Sequence, residues 1–114
     1  MAISEAFSGS ATVTTAELSL VSGTTTLQNA TDDGIYQVFI DFSNMAAGDE
    51  YEVKIKEKTI ATAAQRTIYA STLEGVQSSP FVTPTLILLH GWDVTLDKIT
   101  GTDRSIAWSI RKVA

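Results

Sequence analysis

Apolar and polar residues alternate most cleanly between His90 and Val113. Trp92, Val94 and Leu96 interleave with Asp93, Thr95 and Asp97, the period of two expected of a strand with one dry face and one wet face. After Thr100-Gly101-Thr102-Asp103, which favours a tight turn, the alternation resumes with Ile106, Trp108 and Ile110 set against Ser105, Ser109 and Arg111. The two runs predict a hairpin. Both tryptophans fall on its apolar positions, and each can bury on the order of 200 Å². A third run sets Tyr51, Val53 and Ile55 against Glu52, Lys54, Lys56 and Lys58. The expected core is therefore Tyr51, Val53, Ile55, Trp92, Val94, Leu96, Ile106, Trp108 and Ile110.

The rest of the chain is patterned less sharply. Residues 1–14 are small and polar apart from Ile3, Phe7 and Val13, and predict an arm or an edge strand. Residues 15–21 bring Ala16, Leu18 and Leu20 to one side, as a first core strand would. In residues 35–42, Tyr36, Val38, Ile40 and Phe42 face one way and Ile35 and Phe39 the other, so both faces are expected to be partly covered. Ser43 and Gly48 are placed to start and stop a single helical turn between strands. Residues 66–73 read as another strand, with Ile68 and Ala70 interleaved among Thr67, Tyr69 and Ser71. Both prolines, Pro80 and Pro84, fall in residues 75–84, a loop or broken edge, because proline cannot donate to a central ladder. No helical periodicity is sustained. The expectation is an all-β fold, an antiparallel β-sandwich of seven or eight strands, jelly-roll-like or Ig-like, with residues 15–114 as its single domain.

Composition narrows the function classes. At 114 residues there is room for one core. A net charge of −5 argues against binding by phosphate neutralisation, so no nucleic-acid partner is expected. The alternating Lys54, Lys56 and Lys58 read as a solvated or edge strand that discourages unwanted pairing. With no cysteine, there is no disulfide or thiolate chemistry. The chain opens with no basic and apolar leader pattern, and the apolar run 86–89 is far too short for a bilayer. Synthesis in a cytoplasm and no membrane partner are expected.

Candidate chemistry is sparse. His90 is the single histidine and has no companion ligand. Asp93 and Asp97 on one strand face lie about 13 Å apart, beyond the spacing of a glycosidase pair. Asp32-Asp33-Gly34 lacks the further oxygen ligands of a calcium loop and reads as a turn. No catalytic residue, metal site or cofactor is expected. The segments with apolar anchors outside clear strands are the amino-terminal arm, with Phe7, and the loop carrying Pro80, Phe81, Val82 and Pro84; these five residues are the candidate interface. On that reading Phe81→Ser weakens binding without unfolding the domain.

Three stretches carry a resemblance: Asp33-Gly34-Ile35-Tyr36-Gln37-Val38; Ala47-Gly48-Asp49-Glu50-Tyr51-Glu52-Val53 with Glu57-Lys58; and Leu88-Leu89-His90-Gly91-Trp92-Asp93-Val94-Thr95-Leu96, continuing through Gly101-Thr102-Asp103-Arg104-Ser105-Ile106 to Trp108-Ser109-Ile110-Arg111. Over residues 30–114 the chain resembles small proteins encoded among the structural genes of tailed bacteriophages. The resemblance implies a capsid decoration, or cement, protein. Such a protein is made in the bacterial host cytoplasm, sits on the capsid exterior of the virion, and binds the major capsid protein as a homo-oligomer, with a homotrimer as first expectation. The alternative is a carbohydrate- or receptor-binding β-sandwich module of a phage fibre or spike. Of its five candidate platforms, Tyr36, Tyr51, Tyr69 and the two tryptophans, the patterning buries four.

Overall fold

The computed structural model describes residues 2–113. Among these residues nine strands run in chain order: β1 (Ile3–Val13), β2 (Leu18–Ser19), β3 (Gly34–Asp41), β4 (Glu50–Lys58), β5 (Gln65–Glu74), β6 (Phe81–Val82), β7 (Leu86–Leu88), β8 (Asp93–Thr100) and β9 (Arg104–Val113). They form two antiparallel sheets. One has the order β1-β9-β3-β6, with β7 also pairing on β3; the other has the order β2-β8-β4-β5. The protein is an all-β, two-sheet antiparallel sandwich. Its pairs are nested: β1 joins β9, β2 joins β8, the short β6 and β7 both join β3, and β4 joins β5.

The inward rows of both sheets meet in one core. From the five-stranded sheet come Tyr36, Val38, Ile40, Leu86, Leu88, Ile106, Trp108 and Ile110; from the four-stranded sheet come Leu18, Tyr51, Val53, Ile55, Val94 and Leu96. Trp92, just before β8, is fully buried against Tyr36, with ring centroids 4.7 Å apart. Neither indole is left without a polar partner: Trp92 Nε1 donates to the Asp32 carbonyl at 3.0 Å and Trp108 Nε1 to the Leu20 carbonyl at 2.9 Å. All nine expected core residues are buried.

Several expectations give way. The two runs at the end of the chain are not a hairpin, because β8 and β9 belong to opposite sheets and their connector crosses from one layer to the other. Alternation cannot separate the two cases, since in both the apolar rows meet the same core. Polar anchors at the start of β4 hold the crossover. The Asp49 carboxylate accepts the Thr102 and Ala46 amides, each at 2.9 Å, and the Arg104 Nε at 2.9 Å. The Tyr51 hydroxyl donates to the Thr102 carbonyl and accepts the Arg104 amide. Gly101 sits within this clasp at φ 98°, where an added Cβ would lie 2.6 Å from the Asp49 Cα. The same Asp49 contacts replace the expected helical turn with two short turns, Phe42 to Met45 and Ala46 to Asp49.

Nor is the outward row of β8 wet: Asp93 and Thr95 are fully buried. The strand expected over 15–21 shortens to two residues, and the chain beyond it wraps over β8. On β5 the half-buried row is Tyr69, Ser71 and Leu73, with Ile68 and Ala70 outside, because these three pair with the inward Ile55, Val53 and Tyr51 of β4; Ile68 is an extra residue between the pairs Ile55/Tyr69 and Lys56/Thr67. The lysine row lies on β4, which is an interior strand flanked by β8 and β5, not an edge.

Candidate functional site

The outer faces of the two sheets differ in chemistry. On the four-stranded sheet, the outward positions carry charge that is largely satisfied within the protein. Glu17 accepts the Thr95 hydroxyl and pairs with Lys56 at 2.7 Å, and Lys54 pairs with Glu52 at 3.4 Å. Asp93 accepts the Ser19 hydroxyl at 2.7 Å and the Gln28 and Val94 amides at 2.9 Å. Burial nevertheless outweighs these bonds and raises the Asp93 pKa, and burial raises that of Asp97 as well.

One end of the outer face of the five-stranded sheet is apolar and open, whereas the rest of that face carries Ser8, Ser10, Thr12, Ser105 and Ser109. Strand register lines up Ile3 on β1 with Val113 on β9, Val113 with Ile35 on β3, and Ile35 with Ile87 on β7. The result is one row across four strands, in which Ile3 is 65%, Ile35 42% and Ile87 78% exposed. Beside it the Arg111 guanidinium lies 3.8 Å from the Phe39 ring centroid, a cation–π stack that also covers apolar surface with the arginine stem. Arg111 Nε donates to the Ser109 hydroxyl, which donates to Glu5 at 2.6 Å. Shallow depressions flank the stack: one lined by Ile3, Ile35, Phe39 and Val113, the other by Phe39, Pro80, Ala107 and Trp108.

The five candidate interface residues separate accordingly. Phe7 is not an anchor on a free arm: it lies in β1, half-buried, with its ring edge-on to Trp92 at 5.8 Å. Phe81 also turns inward, edge-on to Phe42 at 6.3 Å. Val82, paired with Phe39, is 42% exposed on the outer face, and Pro80 borders one of the depressions there. Pro84 is exposed at the break between β6 and β7, which Thr83 locks by exchanging bonds with the Val38 backbone. Ile3 and Ile87, the most exposed residues of the row, are absent from the sequence-derived candidates. Their signal was available in the apolar residues on the second face of residues 35–42 and in the unbroken run 86–89.

Elsewhere the polar groups have structural work. His90 and Leu89 donate their amides to Glu57, and Asp32 serves Tyr36, Trp92 and Lys112. Among the described residues no group of three His, Asp or Glu side chains is placed to hold a metal ion, and no helix is long and apolar enough to cross a membrane. Tyr36, Tyr51 and Trp92 are almost wholly buried, and Trp108 is only 6% exposed. No family model matches the chain, and comparison with curated proteins and with solved structures likewise gives no match.

Proposed function

We propose that this protein is a virion structural protein, a decoration or cement protein that binds the outer surface of a tailed-phage capsid and stabilises the head. The observation that carries the reading is the open row Ile3, Val113, Ile35 and Ile87 beside the Phe39–Arg111 stack, on a sheet whose opposite face is locked into the core. Contiguous exposed apolar surface on a rigid domain is the usual mark of a protein-binding face. The partner is the major capsid protein, and the mode of action is binding without turnover. A lattice of many such contacts resists internal pressure even where each one is weak, because each domain adds its own buried area.

The finer fold fits this reading. Counting β6 and β7 as one interrupted strand, the sheet orders β1-β9-β3-β6/β7 and β2-β8-β4-β5 support a jelly-roll reading, in which a ribbon of four nested strand pairs rolls into two layers. Jelly rolls serve viral capsids and also lectins, so this support is fold-level analogy. The carbohydrate-binding alternative has less to stand on, since four of its five aromatic platforms lie in the core.

The test is binding of the purified protein to undecorated heads. Stoichiometric binding that raises the heat resistance of the particle, lost in the Ile35→Ser/Ile87→Ser double variant while the fold is retained, is the expected result. Binding to glycans with none to heads would overturn the reading.

A further inference from the structure

The four sheet edges are not equally protected. β2 offers two residues. β5 is interrupted by its bulge at Ile68 and carries Arg66 and Glu74. β6 and β7, of two and three residues, are separated by Thr83-Pro84 and preceded by Pro80. Each of these devices blunts an edge against pairing. β1 is the exception: eleven residues long, with its only charge at Glu5, before its irregularity at Ala6. From Ala6 to Ala16 the sequence has neither a charge nor a proline, in a chain of net charge −5. One side of this strand is hydrogen-bonded to β9, and β1 ends the sheet on the other.

We infer that β1 is the edge at which two copies of this chain join, antiparallel, about a two-fold axis at Ser10. The faces of β1 fit this register. Phe7, Gly9 and Ala11 stand opposite the core residues Ile110, Trp108 and Ile106, whereas Ser8, Ser10 and Thr12 stand opposite Ser109, Ala107 and Ser105 on the outer face. Pairing Ser10 with its own copy sets Ser8 against Thr12 and Gly9 against Ala11, so inward residues meet inward ones, and Val13, fully buried, lies beyond the paired stretch. The outer face gains a ladder of hydroxyl pairs, a favourable cross-strand match, and no charge opposes another. Centring on Ser8 instead carries the pairing through the irregularity at Ala6 and sets outward Glu5 against inward Ala11. The assembly is a dimer with a sheet continuous across both copies, in place of the trimer the resemblance implies.

Sedimentation equilibrium of the full chain tests the inference. The unsubstituted protein is expected to dimerise at micromolar concentration, with amide exchange along β1 slowing as concentration rises. Ser10→Arg, at an exposed position, brings two guanidinium groups together at the axis and should weaken the dimer by on the order of tenfold or more, with the circular dichroism unchanged. Ser8→Arg mixed with Thr12→Glu should form mixed dimers in preference to either alone. A monomer at all concentrations overturns the inference, as does a dimer indifferent to Ser10→Arg or β1 pairing only with a strand of another protein. A monomer that still binds heads leaves the proposed function standing.

Discussion

The outer faces of the two sheets are built from the same kind of strand and end with opposite chemistry. On the four-stranded sheet outward residues of β4 and β8 are tied to residues 17–28, through Glu17 to Lys56 and Thr95 and through Ser19 and Gln28 to Asp93. On the five-stranded sheet the outward positions at one end of β1, β3, β7 and β9 hold isoleucine, valine and a stacked Phe39–Arg111 pair, with Ile3, Ile35 and Ile87 exposed. The difference separates a face that stabilises the fold from one free to meet another surface. Removing side chains from the first should cost stability. Removing them from the second should cost association.

The largest expected effect is on the polar face. Asp93→Ala leaves the Ser19 hydroxyl and two amides without their acceptor in a buried site, and should lower unfolding stability by about 2–4 kcal/mol in urea titration. A loss below half a kilocalorie would put that face on the same footing as the other. Next comes Phe81→Ser, which removes a ring packed on Phe42 and should cost about 2 kcal/mol, so weaker particle binding in this variant would report the fold and not the contact. The apolar face is the other extreme. Ile87→Ser should shift the urea midpoint by no more than about 0.5 kcal/mol equivalent, because the side chain is 78% exposed.

A pH series sharpens the contrast through two aspartates. Backbone amides of Thr102 and Ala46, aided by Arg104, hold the Asp49 pKa at about 2, well below its ordinary value. The stabilisation from Asp49 is therefore complete above about pH 4 and disappears as the pH falls towards 2. Asp93 acts in the other direction. Burial raises its pKa, so ionisation is costlier in the folded protein than in the unfolded chain, and its contribution improves as the pH falls through the raised value. Asp49→Asn should flatten the acid limb of the stability curve, whereas Asp93→Asn should remove the improvement on mild acidification. Superposable curves for the two variants would show that the two sites are not distinct.

Much of the sandwich could be read from alternation. The inward rows of β3, β4, β8 and β9 follow from Tyr36 to Ile40, Tyr51 to Ile55, and the two tryptophan-bearing runs. Pairing partners are another matter, because a strand carries the same pattern whether its neighbour lies in its own sheet or across the core. The crossover at Gly101 was invisible for that reason: it depends on Asp49 and Tyr51, some fifty residues upstream. The cover over Asp93 was equally hidden, since polar residues on a strand read as wet until something folds over them. The apolar face was half visible. Ile35 and Phe39 showed a second apolar side to β3, but their alignment with Ile3, Val113 and Ile87 exists only once four strands are in register.

The crossover between β8 and β9 also has a mechanical meaning. A tug applied along the outer surface of the five-stranded layer passes through a short stretch of main chain, clamped at Asp49 and Tyr51, directly into the other layer. The layers are thus tethered covalently here as well as at the connections β1–β2, β2–β3, β3–β4, β5–β6 and β7–β8, so that strain at one surface is shared by the whole thickness of the domain.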